Sequence, residues 1–364
     1  MRGVRSSLFM IVVVLIAVGI VMIYSTSAIY ASEKMGDSLY FLKRHLMYLL
    51  AGVVMMILAM VIKVQTLRKW SKPIMALSIM LLIGVLIPHI GREISGARRW
   101  FKAGPLNFQP SEFAKVAIFI YLADLLARKE KLVKSFIHGY LPPVLVLGFV
   151  LCLILLEPDL GTAIAISAVS GIMLFVSGVR VKYILASILA SVPALYVLLF
   201  RVPYRRKRMM IFLNPWSDKR GAGFQIIQSF VALGSGGLLG VGLGQSRQKL
   251  FYLPASHTDF IFSIIGEELG FIGSAAVVTL FILFVWEGMK ITFGATGKFE
   301  KLLSMALVSL IALEAIINIG VTAGLLPTKG LPLPFISYGG TSLIFHLTAV
   351  GLLLNIAKSS EAYR

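Results

Sequence analysis

The chain has 364 residues, of which 58% are hydrophobic and only 14% are charged, and its mean hydropathy is +0.90. These values exclude a soluble domain of this size, because so large an apolar surplus must face lipid. The formal net charge of +19 fits a protein that meets anionic headgroups or an anionic substrate. The cations are dispersed over short loops, which argues against nucleic acid as a partner.

Apolar segments of about 20 residues are predicted to cross the membrane as helices, because backbone groups have no other partners in lipid. The first follows a short basic start with Arg2 and Arg5, and we predict an uncleaved signal-anchor helix there. Only Pro158 and Asp159 separate the fifth segment from the sixth, which leaves open a tight re-entrant turn or a proper loop. The ten predicted spans are 7–28, 45–63, 73–90, 110–127, 141–157, 160–178, 181–200, 259–286, 303–325 and 341–357.

The Lys and Arg counts of alternate loops predict the orientation in the membrane. The two raw totals are about equal, but long loops carry little information under this rule. Without the long segment 201–258, the counts favour cytoplasmic termini by roughly two to one. We therefore predict an all-α, polytopic, single transmembrane domain over residues 1–364. Both termini are cytoplasmic in this prediction, and residues 201–258 form a large extracytoplasmic loop between the seventh and eighth helices.

Several cations lie on the outward side against the usual insertion bias, notably Arg98, Arg99 and the run at 205–208. One interpretation is that they bind phosphate or diphosphate at the outer surface. The other is that they pair with anionic headgroups and anchor the chain, since apolar residues follow the run in an interfacial amphipathic pattern.

Ionisable residues near or within spans are candidates for function. Glu112 and Lys115 share one helical face after the helix start at Pro110. They either neutralise each other, or Lys115 reaches a carboxylate elsewhere in the fold and tunes it. Asp159 either caps the sixth helix or contacts substrate.

Asp259 follows His257 and Thr258 at the edge of the eighth predicted span. A carboxylate there can take a proton from a hydroxyl while nearby cations hold a leaving phosphate. The Pro- and Gly-rich segment 327–342 predicts an irregular backbone, which a membrane protein tolerates where it packs against protein or lines a cavity. No His/Cys cluster has metal-ligand spacing, although a divalent ion (Mg²⁺ or Mn²⁺) could accompany a substrate's phosphates.

An ordered set of motifs over nearly the whole chain resembles the SEDS family (shape, elongation, division and sporulation), which includes FtsW and RodA. The segment LPTKG at 326–330 is more similar to the FtsW branch than to the RodA branch. Glu314 is a departure, because the resemblance leads us to expect a polar amide there. The motifs are SGARRW (95–100), QPSEFAK (109–115), EPDLGT (157–162), RRKRMMIFLNPW (205–216), GFQIIQS (223–229), GLGQSRQKLFYLPASHTDFIFSIIGEELG (242–270) and GLLPTKGLPLPFISYGGTS (324–342).

The resemblance implies a ten-helix SEDS-type fold and a peptidoglycan glycosyltransferase that polymerises lipid II at the outer face of the cytoplasmic membrane during division. It maps the essential family aspartate onto Asp259. That carboxylate would be the general base for the acceptor 4-hydroxyl in an inverting transfer, with undecaprenyl pyrophosphate as the leaving group. Arginines would stabilise the leaving charge, and Lys115 would hold Asp259 ionised. The implied partners are lipid II, a class B penicillin-binding transpeptidase and other divisome membrane proteins at the septum.

The predicted site therefore has Asp259 as its catalytic residue. The predicted substrate-binding residues are Lys115, Glu112, Arg98, Arg99, Arg205, Arg206, Asp159, His257, Lys329 and Ser337. A lipid II flippase is the main alternative, because buried ionisable residues and broken segments also occur in transporters. A non-catalytic scaffold explains the apolar bulk but neither Asp259 nor the outward cations.

Overall fold

The computed structural model describes residues 2–94, 96–104, 106–201, 203–219, 221, 223–250, 252–328 and 330–362 as a mainly helical chain. Each of the ten predicted spans overlaps one helix. The helices are α1 (Arg2–Met35), α2 (Tyr40–Val61), α3 (Val64–Lys69), α4 (Ser71–Leu86), α5 (Pro110–Arg128), α6 (Leu141–Leu156), α7 (Leu160–Val176), α8 (Val181–Phe200), α9 (Pro203–Leu213), α10 (Phe224–Ser235), α11 (Ile261–Gly294), α12 (Lys298–Thr322) and α13 (Thr341–Ala362).

Seven helical segments in the described part of the chain are long and apolar enough to cross a membrane. They correspond to α1, α2, α6 with the short turn before it, α8, α11, α12 and α13. α4 and α7, with 16 and 17 residues, are shorter. A multi-pass helical membrane protein is therefore confirmed, whereas ten spans, the orientation and the side of the long segment stay predictions.

The segment between α4 and α5 forms a small antiparallel sheet, so the all-α prediction was wrong there. Its strands are β1 (Arg92–Ile94), β2 (Ala97–Ala103) and β3 (Leu106–Phe108), in the order β1-β2-β3. Gly96 and Gly104, with φ of +76° and +61°, lie at the two turns. Glycine adopts positive φ without steric cost, so it suits tight hairpin turns, and this signal was present in the sequence.

The long segment 201–258 contains more regular structure than a loop. It holds α9, a short 3₁₀ turn at Pro215–Asp218, and α10. The chain then passes close to α11 at Gly240, whose φ is +82°. A Cβ atom on Gly240 would lie 2.1 Å from the carbonyl oxygen of Glu268, so only glycine permits this close approach.

The helices differ greatly in how far they are buried, and α5, α12 and α13 form the centre of the bundle. In the spanning windows of α12 and α13, 67% and 83% of the residues are buried. No residue of the window Val181–Leu198 in α8 is buried, so this helix lies at the lipid-facing edge.

A tight turn joins α6 to α7, as one of the two alternatives for the Pro158–Asp159 boundary predicted. Asp159 is the N-cap of α7, and its Oδ1 accepts a hydrogen bond from the Thr162 amide at 3.1 Å. Its Oδ2 accepts from Thr162 Oγ1 at 2.9 Å and from Gln109 Nε2 at 3.2 Å. The capping interpretation of Asp159 is therefore confirmed.

We expect Asp159→Ala to lower the apparent melting temperature in detergent, because the loss of a capping side chain costs about 1 kcal/mol. Asp159→Asn keeps an oxygen that can accept from the Thr162 amide, so it should melt close to the wild type. Glu33→Ala, at an exposed carboxylate on α1, is the control. An Asp159→Ala protein as stable as the wild type would contradict the capping role.

Candidate functional site

Asp259 lies in the turn just before α11, and its backbone is held from two directions. The Asn318 side chain, on α12, donates its amide hydrogens to the carbonyl of Asp259 at 3.0 Å and to that of Leu331 at 2.8 Å. Ser337 Oγ donates to the carbonyl of Thr258 at 2.7 Å. These bonds satisfy carbonyl groups at the membrane edge, so the position of Asp259 depends on α12 and on the irregular segment before α13.

The Asp259 carboxylate itself is only partly covered. Among the described residues, no group donates a hydrogen bond to it, so its oxygens are open to a ligand. The backbone of Gly330 passes nearby, since a Cβ atom there would lie 3.4 Å from Asp259 Oδ2. Burial raises the pKa of Asp259 to about 6, while the positive charge of Arg208 acts in the opposite direction.

Arg208, whose charge acts on Asp259, also lines a cavity of about 320 Å³. The guanidinium lies on α9 and donates through Nη1 to the carbonyl of Thr328 at 3.2 Å. Two cations, Lys207 and Arg208, line this space, which favours an anionic group inside it. Lys207 also pairs with Asp218, whose Oδ2 lies 3.0 Å from its Nζ. The cavity is lined by Lys207, Arg208, Gly221, Phe224, Gln225, Pro254 and Thr328.

Lys115 lies against Glu112 and Glu314 rather than against Asp259, which differs from the expectation that it holds Asp259 ionised. Its Nζ is 2.8 Å from Glu112 Oε2 and 2.5 Å from Glu314 Oε1. Glu314 Oε2 is 2.5 Å from His346 Nε2. Ammonium charge in a buried position requires close carboxylates, and Lys115 has them within the bundle.

This four-residue buried network (Glu112, Lys115, Glu314 and His346) joins α5, α12 and α13. Glu314, where the family resemblance led us to expect a polar amide, has two basic partners, Lys115 and His346. Asn318, the amide that holds Asp259, lies one helical turn from Glu314 on α12.

The predicted phosphate ligands Arg98 and Arg99 have protein partners in this structure. Arg99 donates through Nε to the carbonyl of Glu157 at 2.7 Å and through Nη2 to that of Pro158 at 2.6 Å. It therefore braces the small sheet against the α6–α7 turn. Arg98 Nη2 lies 3.6 Å from Glu93 Oε2, a surface pair of small energetic weight.

Glu157 was not among the predicted site residues, although its carboxyl group is fully buried. Within the described part of the chain, neither of its carboxyl oxygens has a hydrogen-bond partner. Burial, with the nearby charge of Asp159, raises the pKa of Glu157 to about 9, so the group is neutral at physiological pH.

The remaining predicted cations, Lys329, Arg205 and Arg206, are not brought together with Asp259 by any contact that the structure describes. Lys329 and the side chain of Arg205 lie outside the described residues. Arg206 lines a separate cavity of about 380 Å³ with Arg201 and Lys207. Among the described residues, no three His, Cys, Asp or Glu side chains are grouped to hold a metal ion.

Burial lowers the pKa of His257 to about 4, so its ring is neutral at physiological pH. Ser337 contacts the chain just before Asp259, as described above.

Sequence reasoning did not single out Arg208 or Asn318. Arg208 was visible only as one member of a cationic run, and Asn318 only as an amide within an apolar helix.

Several known proteins are similar to this chain over nearly its whole length. It is 44% identical to the "Probable peptidoglycan glycosyltransferase FtsW" of Geobacter metallireducens, covering 96% of this chain and 93% of that relative. It is 43% identical to the "Stage V sporulation protein E" of Bacillus subtilis, covering 97% of each.

Solved structures give the same result. A peptidoglycan synthase complex, described as coordinating polymerization and crosslinking, contains a chain with a TM-score of 0.77 at 30% identity, covering 97% of both chains. The Rod shape determining protein RodA of Thermus thermophilus has a TM-score of 0.72 at 28% identity, covering 97% of this chain and 96% of that one. The family model of the FtsW, RodA and SpoVE cell cycle proteins matches residues 5–362. The chain therefore belongs to this family of polytopic membrane proteins.

Proposed function

We propose that this chain is a peptidoglycan glycosyltransferase that polymerises lipid II at the outer face of the cytoplasmic membrane. The observation that carries the proposal is the Asp259 carboxylate, to which no described residue donates a hydrogen bond. The charge of Arg208, which lines the cavity of about 320 Å³, lowers the pKa of this carboxylate. The relatives named above as glycosyltransferases, alike over nearly their full length, support the same activity. The orientation that puts Asp259 outside the cell belongs to this proposal.

In the proposed reaction, Asp259 is the general base. The acceptor's 4-hydroxyl oxygen forms a bond to the anomeric carbon of the donor sugar, and its proton passes to the Asp259 carboxylate. The bond from that carbon to the diphosphate oxygen breaks on the opposite face. Undecaprenyl diphosphate leaves with the bonding electrons, and the configuration at the anomeric carbon is inverted.

The growing charge on the leaving diphosphate needs fixed cations close by. Arg208 and Lys207 line the cavity of about 320 Å³, and the charge of Arg208 acts on Asp259, so we assign this role to these two cations first. Arg206, at the neighbouring cavity, is a second contact for the same headgroup or for the lipid around it. A divalent ion such as Mg²⁺ or Mn²⁺ would enter on the diphosphate itself, where phosphate oxygens supply its ligands.

The proposed partner is a class B penicillin-binding transpeptidase, which would cross-link the new strand, together with other membrane proteins at the division septum. The similarity to a chain of a peptidoglycan synthase complex supports a partner of this kind.

A lipid II flippase is the alternative function, favoured by the ionisable side chains buried inside the bundle. The buried network of Glu112, Lys115, Glu314 and His346 is paired within itself, whereas the Asp259 carboxylate receives no hydrogen bond from a described residue.

We expect Asp259→Asn to insert and fold normally but to make no detectable glycan from labelled lipid II. The amide is nearly isosteric but cannot accept the proton, and loss of a positioned base costs about 10²–10⁴-fold in rate. The matched control is Asp37→Asn, which removes an exposed carboxylate between α1 and α2. Polymerisation by Asp259→Asn at a rate near that of the wild type would refute the assignment.

The pH dependence follows from the raised pKa of Asp259. The base form is the ionised one, so single-turnover rates should be half-maximal at about pH 6, rise to a plateau at higher pH and fall as the pH drops through that value. Arg208→Gln removes a charge that favours the ionised carboxylate, so the midpoint should move to higher pH. Arg208→Lys keeps the charge and should move it less. An unchanged midpoint in Arg208→Gln would show that the charge of Arg208 does not act on the base.

A further inference from the structure

Aromatic rings from four separate parts of the chain meet beside Asp259, and the proposed chemistry gives them no role. They come from the end of α1, the start of α2, the turn before α11 and the segment before α13. We name this group the aromatic shelf, and it consists of Tyr30, Tyr40, Phe41, His257 and Tyr338.

Contacts between the rings make the shelf one continuous group. The ring centroids of Phe41 and His257 are 4.6 Å apart, and Tyr338 lies 5.3 Å from Phe41 and 6.0 Å from His257. Tyr30 lies 5.9 Å from His257, and Tyr40 lies 5.2 Å from Phe41. These separations are typical of interacting aromatic pairs.

The shelf is connected directly to the Asp259 turn. His257 precedes Asp259 by two residues, and its carbonyl accepts a hydrogen bond from the Tyr338 amide at 3.0 Å. The cation-lined cavity is built by other elements, chiefly α9, α10 and residues 254 and 328. Asp259 therefore has cations from one set of elements and aromatic rings from another.

Burial separates the shelf from an ordinary core cluster. All five of its residues are partly exposed. By contrast, the core ring pair Phe284 and Phe335, at a centroid distance of 6.0 Å, has exposed fractions of 0% and 1%. The shelf also contacts the interior, since the ring centroids of Tyr338 and buried His45 are 6.4 Å apart. Burial accounts for the core pair, but it does not explain why five partly exposed aromatic residues gather beside Asp259.

The shelf has the features that a sugar ring requires. The C–H groups on one face of a pyranose are weakly positive and pack against the negative face of an aromatic ring. Placed polar groups then fix the orientation of the ligand. Arg44 Nη1 donates to Tyr40 Oη at 2.8 Å, so a cation and a hydroxyl lie at the rim of the shelf. The neutral ring of His257 at physiological pH serves as an uncharged aromatic surface.

We propose that the aromatic shelf binds the sugar rings of the glycan acceptor, which places the acceptor hydroxyl at Asp259. This inference rests on the proposed polymerase function and deepens it, because it separates an acceptor side from a diphosphate side. The ligand class is a disaccharide of N-acetylated hexose units, or a chain of them, recognised mainly by ring stacking.

The test measures initial rates of polymerisation against lipid II concentration for Phe41→Leu and, on another helix, Tyr30→Leu. Each change should raise the apparent KM about two- to tenfold, as expected for one lost aromatic contact, and leave kcat nearly unchanged. Phe41→Tyr keeps the ring and should restore the KM. The matched control is Phe136→Leu, in the ring cluster of Phe136, Tyr140 and Tyr183, which belongs to other elements.

A second readout uses a lipid-free tetramer of N-acetylhexosamine, which carries sugar rings but no diphosphate. It should inhibit the wild type and inhibit Phe41→Leu several-fold less. An unchanged KM and unchanged inhibition in both leucine variants, or a lower kcat alone, would overturn the shelf as a sugar site and leave the polymerase proposal standing. A wild type that makes no glycan would instead refute the polymerase proposal itself.

Discussion

The position of the Asp259 backbone depends above all on one buried amide. Asn318 bridges the carbonyl groups of Asp259 and Leu331, so α12 holds both the turn before α11 and the irregular segment before α13. Without such a donor, two carbonyl groups at the membrane edge would lose their partner, which is costly where water is scarce. One side chain thus satisfies the backbone and orients the carboxylate proposed to act as base.

The buried ionisable side chains differ in how their charge is stabilised. Inside the bundle, Lys115 lies against the carboxylates of Glu112 and Glu314, and this pairing offsets part of the cost of burying the charges. Glu157 is neutral because burial raises its pKa. Asp259 is different, because none of the described residues donates a hydrogen bond to its carboxylate, and its pKa responds to burial and to the charge of Arg208. A group in this state can gain and lose a proton during a reaction, which the paired groups cannot do without breaking their ion pairs.

The helices could be predicted from the sequence because lipid forces every long apolar segment into one structure. Asp259 could be found because a carboxylate at a span edge is rare, and Asp159 because its capping role is local. The small sheet was missed because its strands are short and polar, although Gly96 and Gly104 marked its turns. The partner of Lys115 and the bridging role of Asn318 depend on how distant helices pack, and no local pattern contains that information. The aromatic shelf was missed for the same reason, since its five rings come from four parts of the chain.

The central claim is that this protein forms glycosidic bonds rather than moving lipid. The most direct measurement supplies purified protein, alone and with a class B transpeptidase, with labelled lipid II in the presence of penicillin. The account predicts ladders of glycan strands that penicillin does not suppress. Absence of ladders under both conditions, together with transfer of labelled lipid between leaflets of a vesicle, would contradict it and favour the flippase.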